Sequence, residues 1–195
     1  MNKLYGEPET RRLKNRERLS DEMYRAPQIF AEGGEWPGDW QGRALLALAC
    51  HYKMAPTQEE RDSVYLQANE ILRQLPEYTN IGGYFGDIFD ENNVNEQQLS
   101  GNSWFLRGLC MWYEITEDKE LFARLERITQ SLLLRLIPAY KRYPAGKRED
   151  GAVDGHLQKE TVNGWRLSSD VGCAFILLDG ITDVYATTRM YGLRK

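Results

Sequence analysis

From residue 40 onward the chain alternates between segments that are apolar on nearly every side and segments that are apolar on one side only. The first, WQGRALLALACHYKM, sets Leu45, Leu48, Ala49 and Tyr52 on one face and carries few charges elsewhere, which predicts a helix buried all round. Ala55-Pro56 ends it. Thr57-Gln58-Glu59-Glu60 then has the Thr-x-x-Glu spacing of a capping box. Val64, Ala68, Ile71, Leu72 and Leu75 follow at helical intervals with Arg61, Asp62, Glu70 and Arg73 on other faces, so the second helix is amphipathic. The glycines and asparagines of NIGGYFGDIFDENNVNEQQ predict a loop. A helix beginning between Ser100 and Trp104 gathers Phe105, Leu109, Trp112 and Tyr113 on one face. Another, over 117–135, turns Leu121, Leu125, Ile128 and Leu132 inward and Lys119, Arg124, Glu126 and Arg127 outward. The polar stretch from Pro138 to about residue 167 is long for a plain loop and predicts a short hairpin or a functional segment. A last helix, 169–187, is apolar on most sides. Ahead of them all, RRLKNRER at 11–18 predicts a solvated helical lead-in, and Ser20-Asp21 a helix cap.

The apolar segments repeat. Trp40 and Arg43 align with Trp104 and Arg107, each pair 64 residues apart, in a shared Trp-x-x-Arg-small-Leu element. A looser third copy, GWRLSSDVGCAFILL, puts Trp165 61 residues after Trp104. Each period holds an all-apolar helix and then an amphipathic one, the sequence of inner and outer helices in an array of helical hairpins. The expected fold is therefore all-α, with a lead-in at 1–32 and about three hairpins over 33–195. The loops 33–40, 92–104 and 154–169, each leading into an inner helix, are expected at one end of the array, which makes that end the candidate site.

Composition narrows the function classes. At 195 residues the chain has the size of one ordinary domain, and 42% apolar with 28% charged residues is too hydrophobic for disorder. Its longest apolar runs fall far short of the roughly 18 residues a membrane helix needs. A formal charge of −4 argues against a dedicated nucleic-acid binder, which needs a basic surface for phosphates. Cys50, Cys110 and Cys173, spaced by 60 and 63 residues, fit neither a disulfide framework nor a metal clip, and read as reduced core residues. No apolar segment follows a basic start at Met1, so a cytoplasmic home is expected.

Four stretches, PGDWQGRALLALA, GGYFG, NEQQLSGNSWFLRGLCMWYEIT and GAVDGHLQKETVNGWRLSSDVGCAFILLDGITDVYATT, resemble the alpha/alpha toroid (six-hairpin) glycosidases, over roughly residues 33–188. The resemblance is greatest to the beta-L-arabinofuranosidase-like proteins of glycoside hydrolase family 127. It implies part of an (α/α) toroid acting in carbohydrate metabolism on a plant- or microbe-derived glycan. It also implies sugar contacts at Asp39 and Asn102, where the family usually shows histidines. The family's catalytic cysteine, its glutamate and the zinc-ligating cysteines would lie in a later half of the ring, so no cofactor is expected within this chain, although zinc belongs to a complete member. Six hairpins of about 60 residues need nearly twice this length, which suggests an N-terminal part of a larger toroid.

Glycosidases run on carboxylate pairs about 5 to 10 Å apart, and Glu35, Asp39, Asp87, Glu96, Asp154 and Asp170 lie in or near the expected loops. Asp39 and Asp170 could equally cap helices, and Asp87 and Asp90 could be turn residues. Trp36, Trp40, Trp104 and Trp165 offer flat faces for sugar rings and N–H groups for hydroxyls, or else pack the core. Arg43 and Arg107 call for buried acceptors, tying loops together or holding a substrate carboxylate. His156 could move a proton or donate to a hydroxyl, while His51, inside an apolar helix, reads as structural. The expected substrate contacts are Trp36, Asp39, Trp40, Arg43, Asn102, Trp104, His156 and Trp165, with carbohydrate as the partner and neither nucleic acid nor membrane. A non-catalytic carbohydrate-binding piece and a helical-repeat interaction module are the alternatives. An open half-ring would leave inner apolar surface to be covered by self-association or by a completing C-terminal half.

Overall fold

The computed structural model describes residues 5–31, 34, 36–144, 156–169 and 172–190. The fold is all-α: α1 (Glu7–Leu19), α2 (Asp39–Met54), α3 (Gln58–Tyr78), α4 (Glu96–Thr116), α5 (Lys119–Ile128), α6 (Leu134–Tyr140) and α7 (Cys173–Thr188). Short 3-10 turns at Glu22–Tyr24 and Gln28–Phe30 join α1 to α2, and a π turn, Thr129–Leu133, carries α5 into α6. Two-residue strands β1 (Val94–Asn95) and β2 (Trp165–Arg166) pair in parallel.

Local chemistry sets the helix starts. The Thr57 hydroxyl accepts from the Glu60 amide at 3.2 Å, so half of the capping box forms; the Glu60 carboxylate pairs with Arg12 instead of closing the other half. Asn95 Oδ1 accepts from the amides of Gln97 and Gln98, which starts α4 at Glu96, one turn before its apolar run begins.

The inner layer is α2, α4 and α7, all running in the same direction. Gly38 abuts Gly101, Gly42 abuts Phe105, Trp112 Nε1 donates to the Leu45 carbonyl at 2.8 Å, and Lys53 meets Glu114 at 3.2 Å. Contacts that climb together along both helices require parallel axes. The α4–α7 seam climbs the same way, from Ser103 Oγ on the Ile176 carbonyl to Arg107 on Asp183. Outer helices return antiparallel: α3 brings Tyr65 beside Tyr52, and α5 brings Phe122 beside Tyr113. Leu45, Leu48, Val64, Ile71, Leu106, Leu109 and Leu125 fill the space between layers and are buried, each stabilising the fold by about 2 kcal/mol relative to exposure.

Two expectations need correction. α1 forms the expected helical lead-in and is exposed over most of its length, but one face of it is docked. It lies in the outer layer along α3, with Arg12 only 5% exposed and bridging Glu9 and Glu60, Arg16 bonding Ser63 and Gln67, and Gln67 donating to the Leu19 carbonyl. Of the expected cap pair, Ser20 closes α1 as its C-cap, and Asp21 stands at the N-cap position of the 3-10 turn Glu22–Tyr24 without a side-chain capping bond. The third repeat is also out of register. Trp165 pairs with Val94 in the strand ladder, ahead of α4, whereas Gly180 and Ile176 are the α7 residues that face Ser103. The polar segment does hold a small hairpin, with antiparallel bridges Leu157–Ser168 and Val162–Trp165.

Candidate functional site

A cavity of about 750 Å³ runs between α1 and α2. One face of α2 supplies Trp40, Arg43, Ala47, Cys50 and His51; α1 supplies Arg11, Arg12, Asn15 and Arg18; Tyr24 and Asp39 complete the polar and aromatic lining. The volume is within the range of small-ligand sites, and the lining mixes an apolar floor with several charged groups.

Asp39 is the first residue of α2, but the cap is Gly38 in the left-handed conformation, with φ of 91°. Freed from capping, the Asp39 carboxylate accepts from Arg43 Nε at 2.7 Å. The Arg43 guanidinium lies 4.1 Å from the centre of the Trp104 ring, and that of Arg107 lies 4.8 Å from the same ring. Arg107 is in turn held by Asp183 at 3.1 Å. Both arginines thus find exposed or half-buried partners along the inner layer, rather than the buried acceptors their helices suggested. Trp40 stacks on Tyr24 with ring centres 5.6 Å apart.

His51 is 5% exposed, and its Nδ1 is buried without a hydrogen-bond partner among the described residues. Burial lowers its pKa from 6.5, and the positive charges of Arg12 and Arg16 push it further down against the opposing pull of Glu60. The neutral imidazole is favoured. Cys50 is a half-buried free thiol on the same wall.

The other expected contacts are elsewhere. Asn102 is fully buried and saturated: its Nδ2 donates to the carbonyls of Phe85 and Gln98, and its Oδ1 accepts from the Phe85 amide. Its work is to pin the 79–93 loop, leaving no group for a sugar. Trp165 is also fully buried, donating through Nε1 to the Ala139 carbonyl and packed between Tyr140 and Tyr143, so its face is closed to a ligand. Trp104 is half-buried beneath its two arginines, with Nε1 unpartnered among the described residues, next to the cavity but not lining it. Trp36 is half-buried in the turn before α2, where its carbonyl accepts from the Asp39 amide. His156 is exposed on the hairpin, its amide bonded to Ser169, and does not line the cavity.

Among the acids, Glu96 is fully buried, accepting from the Tyr143 hydroxyl and the Ser168 amide, both at 2.7 Å. Asp90 makes the expected turn, its Oδ1 accepting from the Asn92 amide, and Asp87 is exposed. Glu35, Asp154 and Asp170 lie outside the described residues. Asp39 is therefore the one carboxylate lining the cavity among the described residues. No three His, Cys, Asp or Glu side chains among the described residues gather as metal ligands would, so the zinc set that the resemblance implies for a complete member does not fit these residues.

His51, Tyr24 and the α1 arginines were missed as site residues. Arg11, Asn15 and Arg18 recur at i, i+4 and i+7, which does mark one helical face, but nothing in that spacing says what the face meets. Among the described residues no helix is long and apolar enough to cross a membrane. Compared with protein-family models, with curated proteins and with solved structures, the chain matches none of them.

Proposed function

We propose that this chain is the carbohydrate-binding part of an (α/α) toroid of glycoside hydrolase type, contributing inner helices α2, α4 and α7 and the outer helices α3 and α5. The observation that carries the reading is the cavity beside α2, where Trp40, Tyr24 and the Asp39–Arg43 pair stand together over an apolar floor. An indole next to a fixed donor–acceptor pair suits a sugar, whose ring has apolar C–H faces and hydroxyls at its edge. The sequence resemblance to family 127 proteins supports the same class. Hydrolysis needs a second carboxylate about 5 to 10 Å from the first. The described cavity lining offers Asp39 alone, so binding is assigned to this chain and bond cleavage to a completing half.

Calorimetry of the full chain against arabinofuranosides and a broad oligosaccharide panel tests the reading. Expected is binding that weakens about tenfold or more in Trp40→Ala, on the scale of a lost aromatic platform. Absence of heat with every saccharide overturns it. A second reading, an interaction module, draws on α7, where Phe175 and Leu178 are 60% and 53% exposed. A well-behaved monomer by sedimentation at high concentration counts against that reading.

A further inference from the structure

The cavity lining is chemically lopsided. Four arginines, Arg11, Arg12, Arg18 and Arg43, face it against one carboxylate, Asp39. Arg11 pairs with Glu7, and Arg12 with Glu9 and Glu60, but none of these glutamates lines the cavity. Arg43 engages Asp39 through Nε alone. The Arg18 side chain, exposed at the cavity edge, has no hydrogen-bond or ion-pair partner among the described residues. A neutral sugar gives such a guanidinium little; a carboxylate matches its planar fork with two parallel hydrogen bonds.

We propose that the cavity between α1 and α2 takes a hexuronate, the carboxylate-bearing unit of an acidic glycan, with Arg18 as the carboxylate's partner and Trp40 beside the sugar ring. This rests on the reading that the cavity binds saccharide and specifies the charge of that saccharide. His51 is on the same wall, 5% exposed, with its Nδ1 enclosed by protein and without a hydrogen-bond partner among the described residues. Arg12 and Arg16 also place positive charge beside His51, against the opposing charge of Glu60.

The test compares a trigalacturonate with the neutral trigalactoside of the same linkage, binding each to the full chain by calorimetry at low salt. Sodium acetate and inorganic phosphate serve as sugar-free anions. The expected result is about tenfold tighter binding of the uronate, an advantage that shrinks as salt is added and falls to near unity in Arg18→Gln. Two-dimensional NMR of the imidazole should move the His51 signals on uronate addition. Equal affinity for charged and neutral trisaccharides overturns the inference and leaves the carbohydrate reading standing, as does a uronate preference that survives in Arg18→Gln. Acetate or phosphate binding as tightly as the uronate would mark an anion site without sugar recognition, which also overturns it. Failure of every saccharide overturns both.

Discussion

Gly42 of α2 lies directly on the backbone of α4: a methyl group at that position would stand 2.2 Å from the Phe105 amide nitrogen and 2.3 Å from the Trp104 carbonyl carbon. Only a residue without a β-carbon permits this approach, and the approach is what brings Arg43 over Trp104. The obstructing atoms are backbone and cannot rotate aside. Gly42→Ala should therefore push the two inner helices apart and destabilise the protein by about 3 kcal/mol or more, toward the upper end of overpacking costs. Urea unfolding is the measurement; a midpoint equal to that of the unsubstituted protein contradicts the parallel inner layer.

The α2–α4 repeat was legible because both helices carry Trp-x-x-Arg and set a glycine against the neighbouring helix. Its third copy was not, because Trp165 is positioned by strand pairing with Val94, 71 residues away, and no helical period reports that. The site divides the same way. Asp39, Trp40 and Arg43 were readable as one helical face. The opposite wall was not, since α1 docks through Arg12 onto Glu60 across 48 residues, and a run of arginines looks alike whether solvated or seated. Asn102 and Trp165 looked like ligand contacts because their residue types suit sugars; burial, which decides otherwise, is a property of the whole fold.

The lowered pKa of His51 has a consequence for stability. Between its folded pKa and 6.5 the unfolded chain binds more protons than the folded one, so stability rises with pH across that window. The contribution is complete above the unfolded value, declines as pH falls below it, and levels off beneath the folded value. Urea midpoints at about pH 7.5 and about pH 5.5 should differ, and His51→Gln should flatten that part of the profile. A slope unchanged in the variant rules His51 out as its source.

Thiol chemistry should separate the cysteines. Burial pushes the Cys110 thiol up to about 12, helped by the negative charges of Asp183 and Glu114 against the hydrogen bond with Thr187. Cys110 therefore holds its proton at neutral pH and is inert while folded. Cys50, half-buried on the cavity wall, is the thiol that iodoacetamide should reach first, with Cys110 and the 3%-exposed Cys173 modified only on unfolding. Mass-spectrometric mapping after a short native pulse reads this. Label on Cys110 before Cys50 would mean that the α4–α7 seam opens more readily than the α1–α2 cavity.

Asn102 offers the sharpest contrast between a sugar contact and a structural pin. It sits with no exposed surface on α4, and all three of its hydrogen bonds end on backbone: 3.0 Å from the Phe85 amide, 2.9 Å to the Phe85 carbonyl and 2.9 Å to the Gln98 carbonyl. Asn102→Ala removes these partners together and leaves the Phe85 amide and carbonyl buried without them, a loss of about 2 to 4 kcal/mol when desolvation of the orphaned groups is included. The loop it holds also carries Gly86, whose φ of 87° sets it against Gln98, so hydrogen exchange at residues 82–89 should quicken selectively. Saccharide affinity, measured below the variant's unfolding transition, should be unchanged, because the Trp40 cavity is lined by α1 and α2 rather than by this loop. A variant that keeps full stability but loses saccharide binding would restore Asn102 as a ligand contact and move the site to α4.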